Sequence, residues 1–485
     1  MLEKFLDGSV FFNDKILWGP WTMIFIAGCA VFFTVLSRGF QFRKCVFLFK
    51  NTFGRITERA KSDIKGRLSP FQAATTALAG TVGNGNIVGV ATALSVGGPG
   101  AIFWMWLLAL LGMMLKTAEI TLAVHYRHVD EKGHLHGGPM YYMRNGLGWN
   151  FLVPLFCIGV FSNAFLGAAI LQPHTVGRAF VNSGYRLIDS SNNYDPYIIT
   201  ALMSIITGLV VIGGISRIGR VCSKLVPFMS LVYIVGGISI VVYNFDQIPA
   251  VFAMIFKHAF APAPAVGGFA GAAVIKAIQQ GISKGMYSNE AGQGTAPMAH
   301  ATADTSHPFQ QGVWGAFEVF VDTILICSIT AFAILSTGVL TGLEKMTDSM
   351  LVIKSFSPLF SDLFAWIIIF FCIMTFCLST QIGFFVYYET SIINLFGAKA
   401  MKYFKWIYLI PGIIFAGVAD ADKLWSFATI SAALCALPNL VAVLALGGVF
   451  KKLMDDYMSG AKNYATDIVD KTKQYLKMPP GKSHA

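Results

Sequence analysis

Eleven apolar segments run along this chain, each a candidate to cross about 30 Å of hydrocarbon as a helix. Their windows are 17–37, 71–95, 100–124, 151–181, 197–214, 225–243, 266–290, 312–339, 363–392, 404–418 and 424–449. Of the 485 residues 55% are hydrophobic and 13% are charged, a composition too apolar for soluble domains. The pattern predicts an all-α polytopic membrane protein with about 11 transmembrane helices, forming one membrane domain over 1–485.

Basic residues fall in the gaps between the apolar segments. Nine of them, against two acidic residues, occupy the stretch from Arg38 to Arg67. The positive-inside rule places this stretch in the cytoplasm and the N-terminus outside, and eleven crossings then leave the tail 451–485 in the cytoplasm. The net charge of +11 is therefore explained by topology. Since no basic groove interleaved with aromatics is present in the sequence, we expect no nucleic-acid partner.

The second span contains LAGTVGNGNIVG, from Leu78 to Gly89, a run of glycines and amides in an otherwise apolar segment. Lipid tolerates irregular backbone only where it lines a cavity or is covered by protein, so a broken helix here indicates a ligand site. The N-terminus of a half-helix offers amide donors to a carboxylate, while freed carbonyls suit an ammonium group or Na⁺. A zwitterionic amino acid with a co-transported cation satisfies both ends.

The seventh span is also rich in glycine and amides, and it follows the second by five spans. A repeat of five crossings must invert, because an odd number leaves the second copy starting on the other side. We therefore predict inverted halves over 71–243 and 266–449, a peripheral helix at 17–37, and a break in the seventh span between Gly271 and Gly285. Close helix packing stays open as an alternative, since Gly281 and Gly285 have the GxxxG spacing.

Several long motifs resemble the alanine or glycine:cation symporter family. They are TVGNGNIVGVATA, GGPGAIFWMWLLALLG, SNEAGQGTAPMAHA and GAFEVFVDTILICSITA, and the likeness extends from about Leu68 to Phe450. The resemblance implies a LeuT-type fold with a 5+5 inverted repeat, spans two to six and seven to eleven, plus one N-terminal helix. It also implies a symporter without enzymatic activity in the bacterial inner membrane, with Na⁺ or sometimes H⁺ as the coupling ion. A monomer suffices for this function, and the oligomeric state stays open.

The same resemblance assigns roles to individual positions. TVGNGN is similar to the unwound first core helix of LeuT-type transporters, whose main-chain amides hold the substrate carboxylate. The substrate-binding residues expected on this basis, including two on the seventh span, are Thr81, Gly83, Asn84, Gly85, Asn86, Gln172, Gly281, Ser283 and Phe384. Those expected to bind Na⁺, through carbonyls and two hydroxyls, are Leu78, Ala79, Val82, Ser379 and Thr380. Asn86 is expected either to anchor the break or to approach the ligand.

Departures from the family pattern leave the preferred amino acid open. Asn84 stands where threonine is usual and Phe384 where tryptophan is usual. Because one methylene of extra room changes selectivity by only about 1–3 kcal/mol, alanine or glycine is expected, with serine or glutamine as the alternative. H⁺ coupling is a further alternative, and Asp322, near the middle of the eighth span, is then the first candidate to carry the proton.

Plainer roles also fit several of these residues. Ser379 and Thr380 can bond back to the preceding helical turn, as hydroxyls often do in membrane helices. Gln172 can serve only a bond between helices. Lys116 and Glu119, three residues apart within the third span, can pair with one another.

A channel and an amino-acid sensor are the alternative classes of membrane protein for such a chain. A channel calls for a continuous polar stripe or a ring of charge, whereas this chain has one interrupted centre. A sensor normally carries a large soluble output domain, and only a short tail follows Phe450.

Overall fold

The computed structural model describes residues 13, 17–57, 66–129, 134–184, 187, 194–260, 270–341, 348–418 and 421–460. Most of the predicted tail, 461–485, and part of the basic stretch, 58–65, lie outside these residues. Within the described residues the strands are β1 (His128–Val129) and β2 (Leu135–His136), an antiparallel pair. The rest of the regular structure there is helical, as the composition predicts.

The first part of the chain, up to residue 260, contains eleven main helices, besides short 3₁₀ or π turns at Phe53–Arg55, Tyr142–Gly146 and Phe245–Gln247. They are α1 (Pro20–Leu36), α2 (Phe40–Arg43), α3 (Cys45–Thr52), α4 (Pro70–Thr81), α5 (Gly85–Gly97), α6 (Gly100–His125), α7 (Pro139–Tyr141), α8 (Leu152–Asn182), α9 (Asp195–Val211), α10 (Gly214–Tyr243) and α11 (Ile248–Phe260). The start of α4 is fixed by a capping box, in which Ser69 Oγ accepts from the Gln72 amide and Gln72 Oε1 accepts from the Ser69 amide, with Pro70 following.

The second part of the chain, from residue 270 onward, contains eight main helices, besides short 3₁₀ turns at Val339–Thr341 and Ala398–Ala400, and the longest of the eight is kinked at Ser361. They are α12 (Ala270–Asn289), α13 (Ala296–His300), α14 (Pro308–Ser336), α15 (Asp348–Phe396), α16 (Met401–Leu409), α17 (Pro411–Ile414), α18 (Ala421–Ala445) and α19 (Gly447–Met458). The tenth predicted window, 404–418, thus holds two short helices that are separated at Ile410.

Six of the described helices are long and apolar enough to cross a membrane, and α4 with α5, bent by 51°, forms a seventh such span. The chain is therefore a multi-pass membrane protein. The helices α1 and α9 are apolar but shorter, at 17 residues each. The total of about 11 crossings and the inverted repeat remain predictions.

Close helix contacts bring the second and ninth predicted spans together. On α15, a Cβ at Gly383 would lie 2.6 Å from the backbone nitrogen of Gly80 on α4, so only glycine allows this approach. The helix α6 is buried all round from Gly112 to His125, with Lys116 and Glu119 fully enclosed. A helix buried on every side packs in the centre of the bundle, and its two charged residues must find partners there.

One short main-chain contact joins the segments at the ends of α4 and α13. The Leu68 amide donates to the Thr302 carbonyl at 3.1 Å, and the Asp304 amide donates to the Leu68 carbonyl at 2.8 Å. Arg127 Nη1 donates to the carbonyls of Ala301 and Ala303 at 3.2 and 2.6 Å. The beginning of α4 and the end of α13 are thereby fixed to each other and to the residues after α6.

Candidate binding site at two helix breaks

The break between α4 and α5 is built by a side chain that takes the place of a helical carbonyl. Val82 has extended backbone angles, and the Gly83 amide donates to Asn86 Oδ1 at 2.8 Å. Asn86 Nδ2 in turn donates to Asp322 Oδ1 on α14 at 2.6 Å. The Gly83 amide thus bonds to a side chain instead of to a carbonyl of the preceding helical turn. Asn86 anchors the break, which is one of the two roles expected for it.

Oxygen atoms from α4 and α15 meet at this break. The Val82 carbonyl accepts from Ser379 Oγ at 3.2 Å and from Thr380 Oγ1 at 3.3 Å. Ser379 also bonds back to the Phe376 carbonyl at 2.8 Å, so the plainer role is present alongside the inter-helix contact. A carbonyl with two hydroxyls is the type of ligand set that Na⁺ takes.

The other two predicted cation ligands, Leu78 and Ala79, lie on α4 and have different contacts from Val82. The Leu78 carbonyl accepts from the Val82 amide at 2.8 Å and from Thr81 Oγ1 at 3.2 Å, so it still serves the last turn of α4. Ala79 is fully buried and lies against Gly383 of α15. Of the five predicted cation ligands, the structure brings together Val82, Ser379 and Thr380.

A small cavity lies beside the break. Its enclosed volume is about 10 Å³, about the room that one water molecule needs. Its lining comprises Gly80, Thr81, Gly83, Asn84, Gly85, Asn163, Gln172, Tyr287, Glu290, Gln293, Thr380 and Phe384. Six of the nine predicted substrate-binding residues are among them, and Asn86 lies directly behind the break. The cavity holds amides, carbonyls, one carboxylate and two aromatic rings, a set suited to a small polar ligand.

Gln172 of α8 forms hydrogen bonds with both the main-chain amide and the side chain of Asn84. Gln172 Oε1 accepts from the Asn84 amide at 3.3 Å, and Gln172 Nε2 donates to Asn84 Oδ1 at 3.0 Å and to the Gly167 carbonyl at 3.1 Å. The hydrogen bond between helices, which the sequence left open as a role for Gln172, is therefore present. It holds an amide of the break at the wall of the cavity.

The expected break in the seventh span between Gly271 and Gly285 is wrong. The helix α12 is continuous through Asn289, and the chain unwinds only over 290–295, before α13. A Cβ at Gly281 would collide with the Ala101 carbonyl and come within 2.7 Å of Trp104 Cβ, so this glycine allows α12 to pack against α6. The GxxxG spacing here reflects close packing between helices.

Gly281 and Ser283 do not line this cavity, and their contact with substrate stays a prediction. Ser283 lines a second cavity, together with Lys284 and the rings of Trp18 and Trp425. The two cavities are neighbours, since Trp425 also stacks edge-on against Tyr287, with ring centroids 5.1 Å apart.

Five residues that line the cavity were missed by the sequence prediction: Gly80, Asn163, Tyr287, Glu290 and Gln293. Two of them lie in the unwound segment itself. The available signal was SNEAGQG, in which Gly292 and Gly294 adopt positive φ angles of 93° and 75°. Two glycines spaced for left-handed turns mark the break better than the GxxxG pair upstream.

The unwound segment 290–295 is held by charged groups of α6. Lys116 Nζ donates to the Asn289 carbonyl at 2.8 Å, and Glu119 Oε2 accepts from the Gly292 amide at 3.2 Å. Glu119 also accepts from Asn439 of α18. A cation at the C-terminal end of a helix and a carboxylate facing a free amide both oppose the partial charges of the break.

Lys116 belongs to a fully buried ion cluster. Its ammonium lies 3.2 Å from Glu318 Oε2, and His300 Nε2 lies 2.5 Å from Glu318 Oε1. Gln311 Nε2 lies 2.8 Å from His300 Nδ1 and closes the chain of contacts. The expected pairing of Lys116 with Glu119 is therefore replaced by contacts that both residues make with other elements.

Asp322 connects the two breaks. Its carboxylate accepts from Asn86 Nδ2 at 2.6 Å, from Ser288 Oγ at 2.8 Å and from Thr323 Oγ1 at 2.8 Å. Asn86 belongs to the first break, and Ser288 lies in the last turn before the second. A single buried carboxylate is therefore hydrogen-bonded to residues at both breaks.

Gly83→Ala is expected to impair binding at the first break by about tenfold or more. A Cβ at this position would collide with Thr380 Oγ1, so the hydroxyl must leave the Val82 carbonyl. Ligand binding to the purified protein is the measurement, and Gly28→Ala, where a Cβ meets nothing within 4 Å, is the control. Equal affinity in the two variants would contradict the packing described here.

Two discontinuous helices that enclose a polar cavity inside an apolar bundle define a class, the LeuT-type transporters. Solved structures confirm this fold. MhsT in complex with L-phenylalanine matches with a TM-score of 0.55 at 15% identity, covering 86% of this chain and 96% of that one. A Na⁺-coupled sialic acid symporter in a substrate-bound outward-open state matches with a TM-score of 0.51 at 13% identity, covering 88% and 85%.

The chain belongs to the Sodium:alanine symporter family, whose profile matches residues 3–471. The uncharacterized transporter YflA of Bacillus subtilis is 39% identical over 94% of both chains. The sodium/alanine symporter AgcS of Methanococcus maripaludis is 34% identical over 90% of this chain and 94% of its own. The probable sodium/glutamine symporter GlnT of Bacillus subtilis is 33% identical over 94% and 91%. These relatives are transporters, and the family resemblance seen in the sequence is confirmed.

Proposed function

We propose that this protein imports a small neutral amino acid, alanine or glycine, together with Na⁺ by alternating access. The observation that carries the proposal is the meeting of the Val82 carbonyl with the Ser379 and Thr380 hydroxyls beside a cavity lined by main-chain groups of the same break. The cation and the carboxylate then lie on neighbouring parts of one broken helix. Each lowers the free energy of binding of the other, which is the basis of coupled transport.

Alanine or glycine is the first candidate because the chain belongs to the Sodium:alanine symporter family and one relative, AgcS, is described as a sodium/alanine symporter. Glutamine enters as the second candidate because one relative, GlnT, is described as a probable sodium/glutamine symporter. We further propose that the protein resides in the bacterial inner membrane with the N-terminus outside and the tail 451–485 in the cytoplasm.

Uptake into proteoliposomes tests the proposal directly. Labelled alanine, glycine, serine and glutamine are offered with Na⁺ and H⁺ gradients imposed separately. We expect accumulation of alanine or glycine with an inward Na⁺ gradient and none with an H⁺ gradient alone. Accumulation that continues after the Na⁺ gradient is collapsed would refute Na⁺ coupling, and accumulation driven by H⁺ alone would direct attention to Asp322.

Ser379→Ala and Thr380→Ala are expected to raise the Na⁺ concentration needed for half-maximal uptake, each by roughly tenfold, because one oxygen ligand is lost. Thr375→Ala on the same helix is the matched control, since its hydroxyl bonds only to the Phe371 and Cys372 carbonyls of its own helix. An unchanged Na⁺ requirement in both variants would remove these residues from the cation site.

A further inference from the structure

We propose that Glu290, in the unwound segment before α13, binds the ammonium group of the substrate. The inference rests on the proposed function, because it takes an amino acid as the ligand. Glu290 lines the same cavity as the amide-bearing break at Gly83 to Gly85. A zwitterion in this cavity would thus meet the N-terminal end of α5 at one break and a carboxylate at the other.

The carboxylate of Glu290 is buried, and one of its two oxygens accepts a hydrogen bond. The residue is 2% exposed, and its Oε2 accepts from Thr295 Oγ1 at 2.7 Å. Within the described residues, the hydrogen bond to this side chain comes from Thr295, and no salt bridge includes Glu290. A buried carboxylate without a cation is costly, so a ligand that brings a positive charge is favoured strongly at this place.

The buried ammonium on α6 makes its direct contacts elsewhere. Lys116 donates to the Asn289 carbonyl at 2.8 Å and lies 3.2 Å from Glu318 Oε2. Its direct partners are therefore the end of α12 and the carboxylate on α14. An ammonium group that enters the cavity would be a direct partner for Glu290.

The backbone of Glu290 points to a function of its side chain. Its φ angle is +56°, in the left-handed region where glycine is at ease and other residues are strained. The surrounding contacts hold this conformation: Gln293 Nε2 donates to the Met286 carbonyl at 2.7 Å, and Asn163 Nδ2 donates to Gln293 Oε1 at 3.0 Å. Strain maintained in this way is typical of binding sites.

The assignment predicts that substrates without an amine are rejected. A hydroxy acid of the same size as alanine could occupy the space, but it would leave the carboxylate of Glu290 unbalanced. Sites built for a charged partner discriminate against analogues that lack it far more strongly than sites that measure size. Glu290 therefore restricts the substrate class to α-ammonium carboxylates.

Glu290→Gln tests this assignment, because the amide oxygen can still accept from Thr295 while the charge is removed. Binding of L-alanine, L-lactate and L-alanine methyl ester to the purified protein in Na⁺ is measured by calorimetry. Lactate lacks the ammonium group, and the ester lacks the charged carboxylate. We expect alanine to bind roughly 10- to 100-fold more weakly to the variant. The preference for alanine over lactate should collapse, whereas the preference for alanine over the ester should persist.

An unchanged alanine-to-lactate ratio in a folded Glu290→Gln protein would overturn the assignment. Glu290→Asp provides a second test, because it keeps the charge; it should still reject lactate, and loss of that rejection would also overturn the assignment. The two proposals fail in different ways. If the unaltered protein binds no small neutral amino acid, the proposed function is wrong, whereas if it binds alanine and Glu290→Gln discriminates normally, only the role of Glu290 is wrong.

Discussion

Lys116→Met is expected to lower the free energy of unfolding by about 3–5 kcal/mol, the usual cost of removing one partner of a buried ion pair. The substitution keeps the length of the side chain but leaves Glu318 without its ammonium and removes the donor to the Asn289 carbonyl. Both residues of the pair are fully enclosed, so water cannot replace the lost partner. Thermal and denaturant unfolding of the purified protein in detergent is the measurement.

The matched control is Lys224→Met, an exposed lysine on α10, which should unfold like the unaltered protein. The double variant Lys116→Met/Glu318→Gln is expected to recover part of the loss, because it no longer buries an unbalanced charge. A Lys116→Met protein as stable as Lys224→Met would show that the cluster contributes little to the fold.

Asp322→Ala is expected to reduce uptake by about 100-fold or more. It removes the acceptor of three buried donors, from Asn86, Ser288 and Thr323. Each donor left unpaired costs about 1–3 kcal/mol, and both helix breaks lose an anchor at once. Initial rates of Na⁺-driven uptake into proteoliposomes, normalised to the amount of protein inserted, provide the measurement.

Asp362→Ala on α15 is the control for this experiment. Its side chain is 72% exposed and pairs with Lys354 at 3.1 Å, a surface contact whose loss should leave uptake unchanged. Asp322→Asn separates shape from charge, since it preserves volume but offers one acceptor oxygen instead of two. Equal uptake by Asp322→Ala and Asp362→Ala would mean that the carboxylate does not join the two breaks.

The break at Gly83 was predictable because its cause is local. Glycines next to Asn84 and Asn86 inside an apolar run leave few alternatives to an unwound segment, and the side chain that replaces the helical carbonyl lies three residues away. The hydroxyls of Ser379 and Thr380 entered the prediction only through the family resemblance. Their contact with Val82 spans almost 300 residues, and no spacing in the sequence encodes it.

The second break was predicted at the wrong place because a glycine in a membrane helix can be required for two different physical reasons. Gly281 is small so that α12 can approach α6, whereas Gly292 and Gly294 are small because the backbone there is left-handed. Lys116 and Glu119 show a similar ambiguity. Their separation of three residues suits a pair on one helix face, but in a helix buried on all sides each residue is also within reach of other elements. Only the packing of α12, α14 and α18 decides which partner each one takes.

The main-chain contact between Leu68 and Ala303 has a mechanical consequence. It joins the start of α4 to the end of α13, and Arg127 attaches the same point to the end of α6. Two segments that share backbone hydrogen bonds cannot swing apart without breaking them. The start of α4 and the end of α13 therefore form one mechanical unit. Any hinge motion that separates the helices at this place must move both ends together.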